Sequence, residues 1–365
     1  MAAASARIEK VAARAFRIPT DAPESDGTLE WDATTLVLTE ISAGGEKGVG
    51  YTYASAAAAK VITETLVDVL NGQEAFGIPR LWNAMVARVR NLGSRGICAC
   101  AISAIDVALW DLKAKVIGLP VVQLLGAQRD EVAIYGSGGF TSYTDKRLKD
   151  QLAGWARRDG CRAVKMKVGR DPARDPERVA AARSAIGDAE LYVDANGALS
   201  RKQALALARE CEELAVTWFE EPVSSDDLEG LRLIRDRAPP GMDIAAGEYG
   251  YEPFYFRRIL EAGAVDVLQA DATRCGGFTG FLKAAALADA HGLPFSGHTA
   301  PALHLHAAAA APRLKNLEWF HDHVRIEHML FDGSPSPENG VIRPDLSRPG
   351  LGLAFKEKDA AQFAL

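Results

Sequence analysis

The chain has 365 residues, 48% of them hydrophobic and 25% charged, a length that suits one large domain with a smaller companion. A net charge of −6 and a pI near 5.7 leave no basic footprint for nucleic acid, so an anionic substrate would need local positive charge. No apolar run is long enough to span a bilayer and Met1–Ala6 lacks the features of a secretory signal, so the expected location is cytoplasmic, with neither membrane nor nucleic acid as a partner.

Residues 7–19 alternate loosely and read as a first strand, ending at Pro19. The stretch Asp21-Ala-Pro-Glu-Ser-Asp-Gly27 is polar and rich in breakers, which predicts a loop. Segments 34–41 and 48–53, joined through Gly44-Gly45, predict a hairpin, so three strands form a small antiparallel meander. Helical patterns follow at 56–70, 79–89 and 99–117. In the last of these Ile102, Ile105, Leu109, Leu112 and Val116 make one apolar stripe, which Gly118 and Pro120 stop. Residues 1–130 thus read as an α+β domain. Five cysteines, an odd number without framework spacing, fit a reduced compartment, and Cys98 and Cys100 open a helix where packing is their expected role.

From Val132 short apolar runs alternate with amphipathic stretches, the pattern of βα units around a parallel sheet. Eight strands are predicted, at 132–136, 162–167, 190–194, 216–220, 243–247, 265–269, 293–296 and 315–319. Helices such as 176–186, 200–213, 226–237 and 278–290 lie between them. This is a TIM-type barrel near its lower size limit, spanning 131–329. The segment 330–365 is rich in Gly and Pro, lacks the βα rhythm, and is expected to pack back on the N-terminal domain.

The strand Arg162-Ala-Val-Lys-Met-Lys-Val-Gly169 is the odd one. Lys165 and Lys167 point the same way, and two like charges on an inner strand repel; alone, the segment reads as an edge strand with solvated lysines. The rest of the chain overturns that reading. Asp194, Glu220, Glu248, Asp271, His298 and Glu318 each close a strand-like segment, 29 residues after Lys165 and then at steps of 20 to 28 residues. Each step is one βα unit, so all of them share the rim where barrel enzymes carry their active sites. Three carboxylates on adjacent strands repel unless a cation sits among them, and all-oxygen ligation selects a hard metal, Mg²⁺ rather than Ca²⁺. Glu221 competes with Glu220 for this role, although alternation points it the other way. A cation beside Lys167 would lower its pKa toward that of a usable base, and Asp271 could hold the His298 imidazole in one tautomer. His291, His304, His306, His321, His323 and His328 are structural by default; His304 and His306 come close to the rim, and His321 and His323 directly follow Glu318.

At these residues the chain resembles the enolase superfamily, in its mandelate racemase subgroup, which includes acid-sugar dehydratases. The resemblance runs through Ser103-Ala-Ile-Asp106, Leu109-Trp-Asp-Leu-Lys113, Lys165-x-Lys167, Asp194-Ala-Asn196, Glu220-Glu-Pro222, Gly247-Glu248, Asp271…Gly276-Gly277, His298 and Glu318. It implies a modified (β/α)7β barrel with an α+β capping domain as lid. It further implies that Asp194, Glu220 and Glu248 bind Mg²⁺, with Mn²⁺ as a substitute, and that Lys167 and the His298–Asp271 dyad are the acid/base catalysts. Lys165 would contact the substrate carboxylate and tune Lys167, while a protonated Glu318 would donate a hydrogen bond to that carboxylate. Asn196 and Ser137 fall where the family touches substrate. The lid, including 21–31 and Tyr53 at the hairpin end, is expected to set specificity. The shared chemistry is abstraction of a proton α to a carboxylate, and dehydration of an aldonate or aldarate is the expected outcome. Racemisation, epimerisation and lactone cycloisomerisation are the alternatives, and a catalytically silent binding protein is the reading from another class. A homo-oligomer, from dimer to octamer, is implied by the same resemblance.

Overall fold

The computed structural model describes residues 6–365. Strands β1 (Ile8–Ser25), β2 (Glu30–Ala43) and β3 (Glu46–Tyr53) form an antiparallel sheet in that order. Ala43 pairs with Glu46 across Gly44 and Gly45, whose φ angles of 60° and 81° give the tight hairpin turn that only glycine adopts readily at both positions.

The expected loop over 21–27 is a correction. After a register shift between Pro19 and Glu24, β1 resumes pairing, Glu24 with Trp31 and Ser25 with Glu30. Only the tip turns, where Asp26 Oδ1 accepts the backbone N–H of Thr28 (2.6 Å) and Leu29 (2.7 Å). The lid is therefore a hairpin end, and Trp31 packs with Phe140, Tyr143 and Phe320 of the barrel. The expected helix over 56–70 is also broken. It is α1 (Ala57–Val61), followed by a wide turn at Ile62–Leu66 and a tight one at Val67–Val69.

Helices α2 (Ile78–Arg88), α3 (Ile97–Ile117) and α4 (Val121–Leu125) complete this part. α3 is buried on nearly every side rather than along one stripe, because it lies between the sheet and the barrel. Its backbone reaches β3 only because Gly48 and Gly50 stand there: a Cβ would lie 2.1 Å from Ala108 O and 2.2 Å from Ala104 O, respectively. On its other side Asp106 accepts from Thr279 Oγ1 (2.6 Å) and Ser103 Oγ accepts from Gly276 N (2.8 Å), which fixes the lid to the barrel. All five cysteines are buried and unpaired.

Eight parallel strands follow: β4 (Val132–Gly138), β5 (Ala163–Lys167), β6 (Glu190–Asp194), β7 (Val216–Glu220), β8 (Asp243–Ala246), β9 (Val267–Ala270), β10 (Phe295–Gly297) and β11 (Leu314–Phe320). They pair in sequence order and β11 closes on β4, so the sheet is a barrel. The outer helices are α5 (Asp145–Arg157), α6 (Asp175–Ala185), α7 (Arg201–Glu212), α8 (Leu228–Arg235), α9 (Pro253–Glu261), α10 (Gly277–Ala290), α11 (Pro301–Ala310) and α12 (His321–Leu330). Inside the barrel Tyr135, Tyr192 and Trp218 pack ring against ring with Ala163, Ala245 and Val267, a floor beneath the polar rim. Beyond α12, β12 (Phe331–Asp332) pairs with β14 (Ala354–Phe355), and β13 (Val341–Ile342) adds to β4 antiparallel. Phe355 meets Phe16 at 5.3 Å, and Leu351 N donates to Asp111 (2.7 Å). Among the described residues no helix is long and apolar enough to cross a membrane.

Candidate active site

Strand register assembles the site. Lys167 pairs with Asp194 and Asp194 with Glu220, so three strand-terminal side chains stand side by side at one level. Lys165 and Lys167 point inward as alternation requires, and neither is solvated: they are 0% and 5% exposed. Buried ammonium groups persist only when paired. Lys165 Nζ donates to Glu220 and lies 2.9 Å from Glu318 and 3.3 Å from Asp194, while Lys167 Nζ donates to Asp194 at 2.6 Å.

Across the rim His298 Nδ1 is 2.8 Å from Asp271 Oδ2, and its Nε2 is 3.1 Å from Glu248 Oε2 and 3.6 Å from Glu318. Burial opposes charge on this ring, but Glu248, Glu318 and the Asp271 hydrogen bond outweigh it and raise its pKa to about 10. Burial likewise opposes the charge on Lys167, and Asp194 more than restores it, so its pKa stands above the ordinary lysine value. The lowered lysine pKa expected from the sequence is thus not a property of these side chains by themselves.

Glu318 also departs from expectation. It accepts from Ser137 Oγ (2.5 Å), Lys165 Nζ and the Thr299 backbone N–H (3.1 Å). Although burial favours its neutral form, Lys165 and His298 bring its pKa down to about 2. With these partners it accepts hydrogen bonds, whereas the resemblance implies a donor toward the substrate carboxylate.

Asp194, Glu220 and Glu248 bring one oxygen each within 4.8 Å of one another, all buried. The donor set is all oxygen, which suits a small hard cation. Several buried oxygens at this spot have no hydrogen-bond partner: Glu248 Oε2, Glu221 Oε1 and Asn196 Oδ1. His298 Nε2 stands 3.1 Å from Glu248 Oε2 as an ion-pair partner. Unpartnered acceptors beside three carboxylates are groups that a divalent cation would satisfy, so the residues fit such a metal. Burial and then Glu248 raise the pKa of the Glu221 carboxyl well above its ordinary value.

Asn196 takes a left-handed φ of 44°, and its N–H donates to Asp194 Oδ1 (2.8 Å). Its side chain and Glu221 border a cavity of about 440 Å³ that Thr28, Arg95, Tyr249 and Tyr255 also line. Ser137 reaches the site through Glu318. Tyr53 instead lies on His323, ring centroids 3.5 Å apart, with its hydroxyl toward the His323 carbonyl. His304 and His306 are structural: Nε2 of His304 accepts the Ala272 N–H, and His306 links Val122 to Leu351.

Three further residues escape a sequence reading. Arg274 spans Glu248 Oε1 (3.3 Å) and Asp271 Oδ2 (3.4 Å) over the Tyr249 ring, one turn after Asp271. Trp218 Nε1 donates to Glu220 Oε2 (2.9 Å), a pair that the i, i+2 spacing on one strand could have suggested. Arg178, buried, caps the carbonyls of Lys167, Gly139 and Phe140 with no sequence signal at all.

Gly247 sets the path into Glu248. Its φ is 143° and an added Cβ would lie 1.9 Å from Gln269 O. Gly247→Ala is expected to cost about 1–3 kcal/mol of stability and to weaken metal binding with it, read by thermal melts with and without Mg²⁺. An alanine variant with unchanged melting would remove this glycine from the account.

Comparison with known proteins bears on what the site does. Residues 16–126 match the mandelate racemase/muconate lactonizing enzyme N-terminal domain, and 147–359 match the enolase C-terminal domain-like family. The L-talarate/galactarate dehydratase of Salmonella typhimurium LT2 is 34% identical over 96% of this chain and 90% of its own length. A crystal structure of that dehydratase, liganded with Mg and L-lyxarohydroxamate, superposes with a TM-score of 0.90 at 31% identity, covering 100% of this chain and 95% of that one. The 3,6-anhydro-alpha-L-galactonate cycloisomerase of Streptomyces coelicolor is 34% identical over 98% of this chain and 99% of its own. A mandelate racemase/muconate lactonizing enzyme-like protein from Rubrobacter xylanophilus, with a solved structure, is 51% identical with a TM-score of 0.96, over 98% of this chain and 100% of that one.

Proposed function

The chain belongs to the mandelate racemase/muconate lactonizing enzyme family of the enolase superfamily, and from that premise we propose that it dehydrates an acid sugar to a 2-keto-3-deoxy acid. It is an enzyme of lyase or isomerase type, and its substrate is a small carboxylate. The observation that carries this reading is the convergence, on one barrel rim, of three buried carboxylates with Lys167 on one side and the His298–Asp271 pair on the other.

Asp194, Glu220 and Glu248 would hold Mg²⁺, which would supply positive charge to stabilise the negative charge that develops on the substrate carboxylate. Lys167 stands beside Lys165, whose charge lowers its affinity for a proton, while Asp194 opposes that effect. Neutral Lys167 takes the α-proton, and the C–H electron pair moves into the enediolate. Lys165 stays near the carboxylate oxygens and stabilises the charge that develops there. His298, kept protonated by Asp271, gives its proton to the β-oxygen as the C–O bond breaks and water leaves. The resulting enol tautomerises to the 2-keto-3-deoxy acid. Asn196 and Ser137 orient the substrate, and the lid with Tyr53 covers it.

The test is a panel of aldonates, aldarates and their lactones, with carbonyl trapping of product and NMR for a new methylene at carbon three. The expected result is that at least one acid yields the methylene. Product that is inverted or ring-opened, with no methylene, would move the assignment to epimerase or cycloisomerase. The second outcome has support of its own in the cycloisomerase relative.

A further inference from the structure

His323 lies five residues beyond Glu318, in the first turn of α12, and the mechanism above does not use it. Its ring is held on three sides. Tyr53 stacks on one face at 3.5 Å with an 11° interplanar angle, and Phe320 packs at 5.0 Å with its ring nearly perpendicular. Nδ1 accepts the backbone N–H of Ala300 at 3.4 Å, two residues after His298. An acceptor at Nδ1 fixes the proton of a neutral imidazole on Nε2. The ring is neutral: burial, and then the positive His298 nearby, both disfavour its charged form.

That leaves one N–H donor, clamped in direction, without an acceptor among the described residues. The residue is 7% exposed, and Nε2 is not among the sealed polar atoms, so it retains contact with solvent at the rim. A clamped donor that no protein group satisfies is a built contact for something that arrives. Its neighbours are the acid His298 on the barrel side and the lid strand β3 on the other.

We propose that His323 is a specificity residue whose Nε2–H donates to a hydroxyl of the substrate chain beyond the carbons handled by Lys167 and His298. The inference rests on the acid-sugar reading above and narrows it to acids carrying an oxygen acceptor on that side of the β-carbon. Tyr53 is a positioning residue for the same contact, since its ring holds the imidazole plane.

Two amide substitutions separate the two ring nitrogens. His323→Asn places its amide where Nδ1 stands, keeping an acceptor for Ala300 and deleting the distal donor. His323→Gln places its amide where Nε2 stands, keeping the donor and deleting the Ala300 contact. Calorimetric binding is measured with Mg²⁺ present for five- and six-carbon aldonates and aldarates and for glycolate, which has no distal hydroxyl. The expected result is that His323→Asn weakens the best polyhydroxy acid about tenfold or more and leaves glycolate unchanged, while His323→Gln stays near wild type. The reverse pattern, with Gln weak and Asn intact, would show that the ring serves only the Ala300 amide and would overturn the proposal. Equal losses for glycolate and the polyhydroxy acids would overturn it too, as would wild-type protein that binds glycolate but none of them. Wild type that binds none of these acids would instead bring down the acid-sugar reading, and this inference with it.

Discussion

Lys167→Ala is expected to lower α-proton exchange by about 10²- to 10⁴-fold for substrates of one α-configuration and to spare the other. His298→Asn should spare the first configuration and lose the second, or retain exchange and fail at expulsion of the β-oxygen. The expectation follows from where the two groups stand. Lys167 ends β5 and is bound to Asp194, whereas His298 follows β10 and is bound to Asp271 on the far side of the rim. Each approaches the space above the carboxylates from its own side. The measurement is ¹H NMR of each substrate in D₂O, run with matched epimers and with thermal melts to confirm folding. If both variants lost and kept the same activities on every substrate, the two-sided arrangement would be wrong.

Glu248→Gln is expected to weaken Mg²⁺ binding by roughly 100-fold or more, with turnover lost in proportion and partly regained at high metal. Glu220→Gln and Asp194→Asn should do the same, and they carry a second cost. Each also removes a buried partner of Lys165 or Lys167, so metal-free stability should fall too, by about 3–5 kcal/mol for Asp194→Asn and by less for Glu220→Gln, where Lys165 keeps Glu318 and Asp194. Glu248 differs because Arg274 and His298 are its neighbours and both retain Asp271. Calorimetric metal titration beside chemical denaturation separates the two effects. An inert Glu220→Gln would transfer the ligand role to Glu221, whose carboxyl is buried and has an unpartnered oxygen at the same place.

The barrel was readable because its strands announce themselves twice, by apolar runs and by the polar residue that ends each one. The segments 216–220 and 190–194 match β7 and β6 residue for residue, and the strands around them shift by two residues or fewer at each end. The residues that converge on the rim followed from the same feature, since a strand end fixes both height and direction. What stayed hidden depends on contacts between distant segments. The lid between 21 and 27 looks like loop because of its breakers, yet pairing with Glu30 and Trp31 extends β1 through it. Helix 56–70 has the propensity to continue, but it changes into wider and tighter turns where it lies against α3 and β1. Arg178 and Arg274 are invisible for a different reason: an arginine on a helix or loop carries no period, and only the fold shows which carbonyls and carboxylates it meets. Charge states were hidden too. Glu318 is anionic and Lys167 strongly basic because each is surrounded by opposite charge, which spacing along the chain does not convey.

The central claim is metal-dependent removal of a proton α to a carboxylate. It is tested most directly by following that proton in D₂O for the acid-sugar panel, using metal-stripped protein before and after Mg²⁺ is restored. The account predicts that at least one acid exchanges its α-hydrogen, that stripping abolishes the exchange, and that Mg²⁺ or Mn²⁺ restores it. Exchange at an undiminished rate in stripped protein, or no exchange of any carboxylate with the metal present, would contradict it.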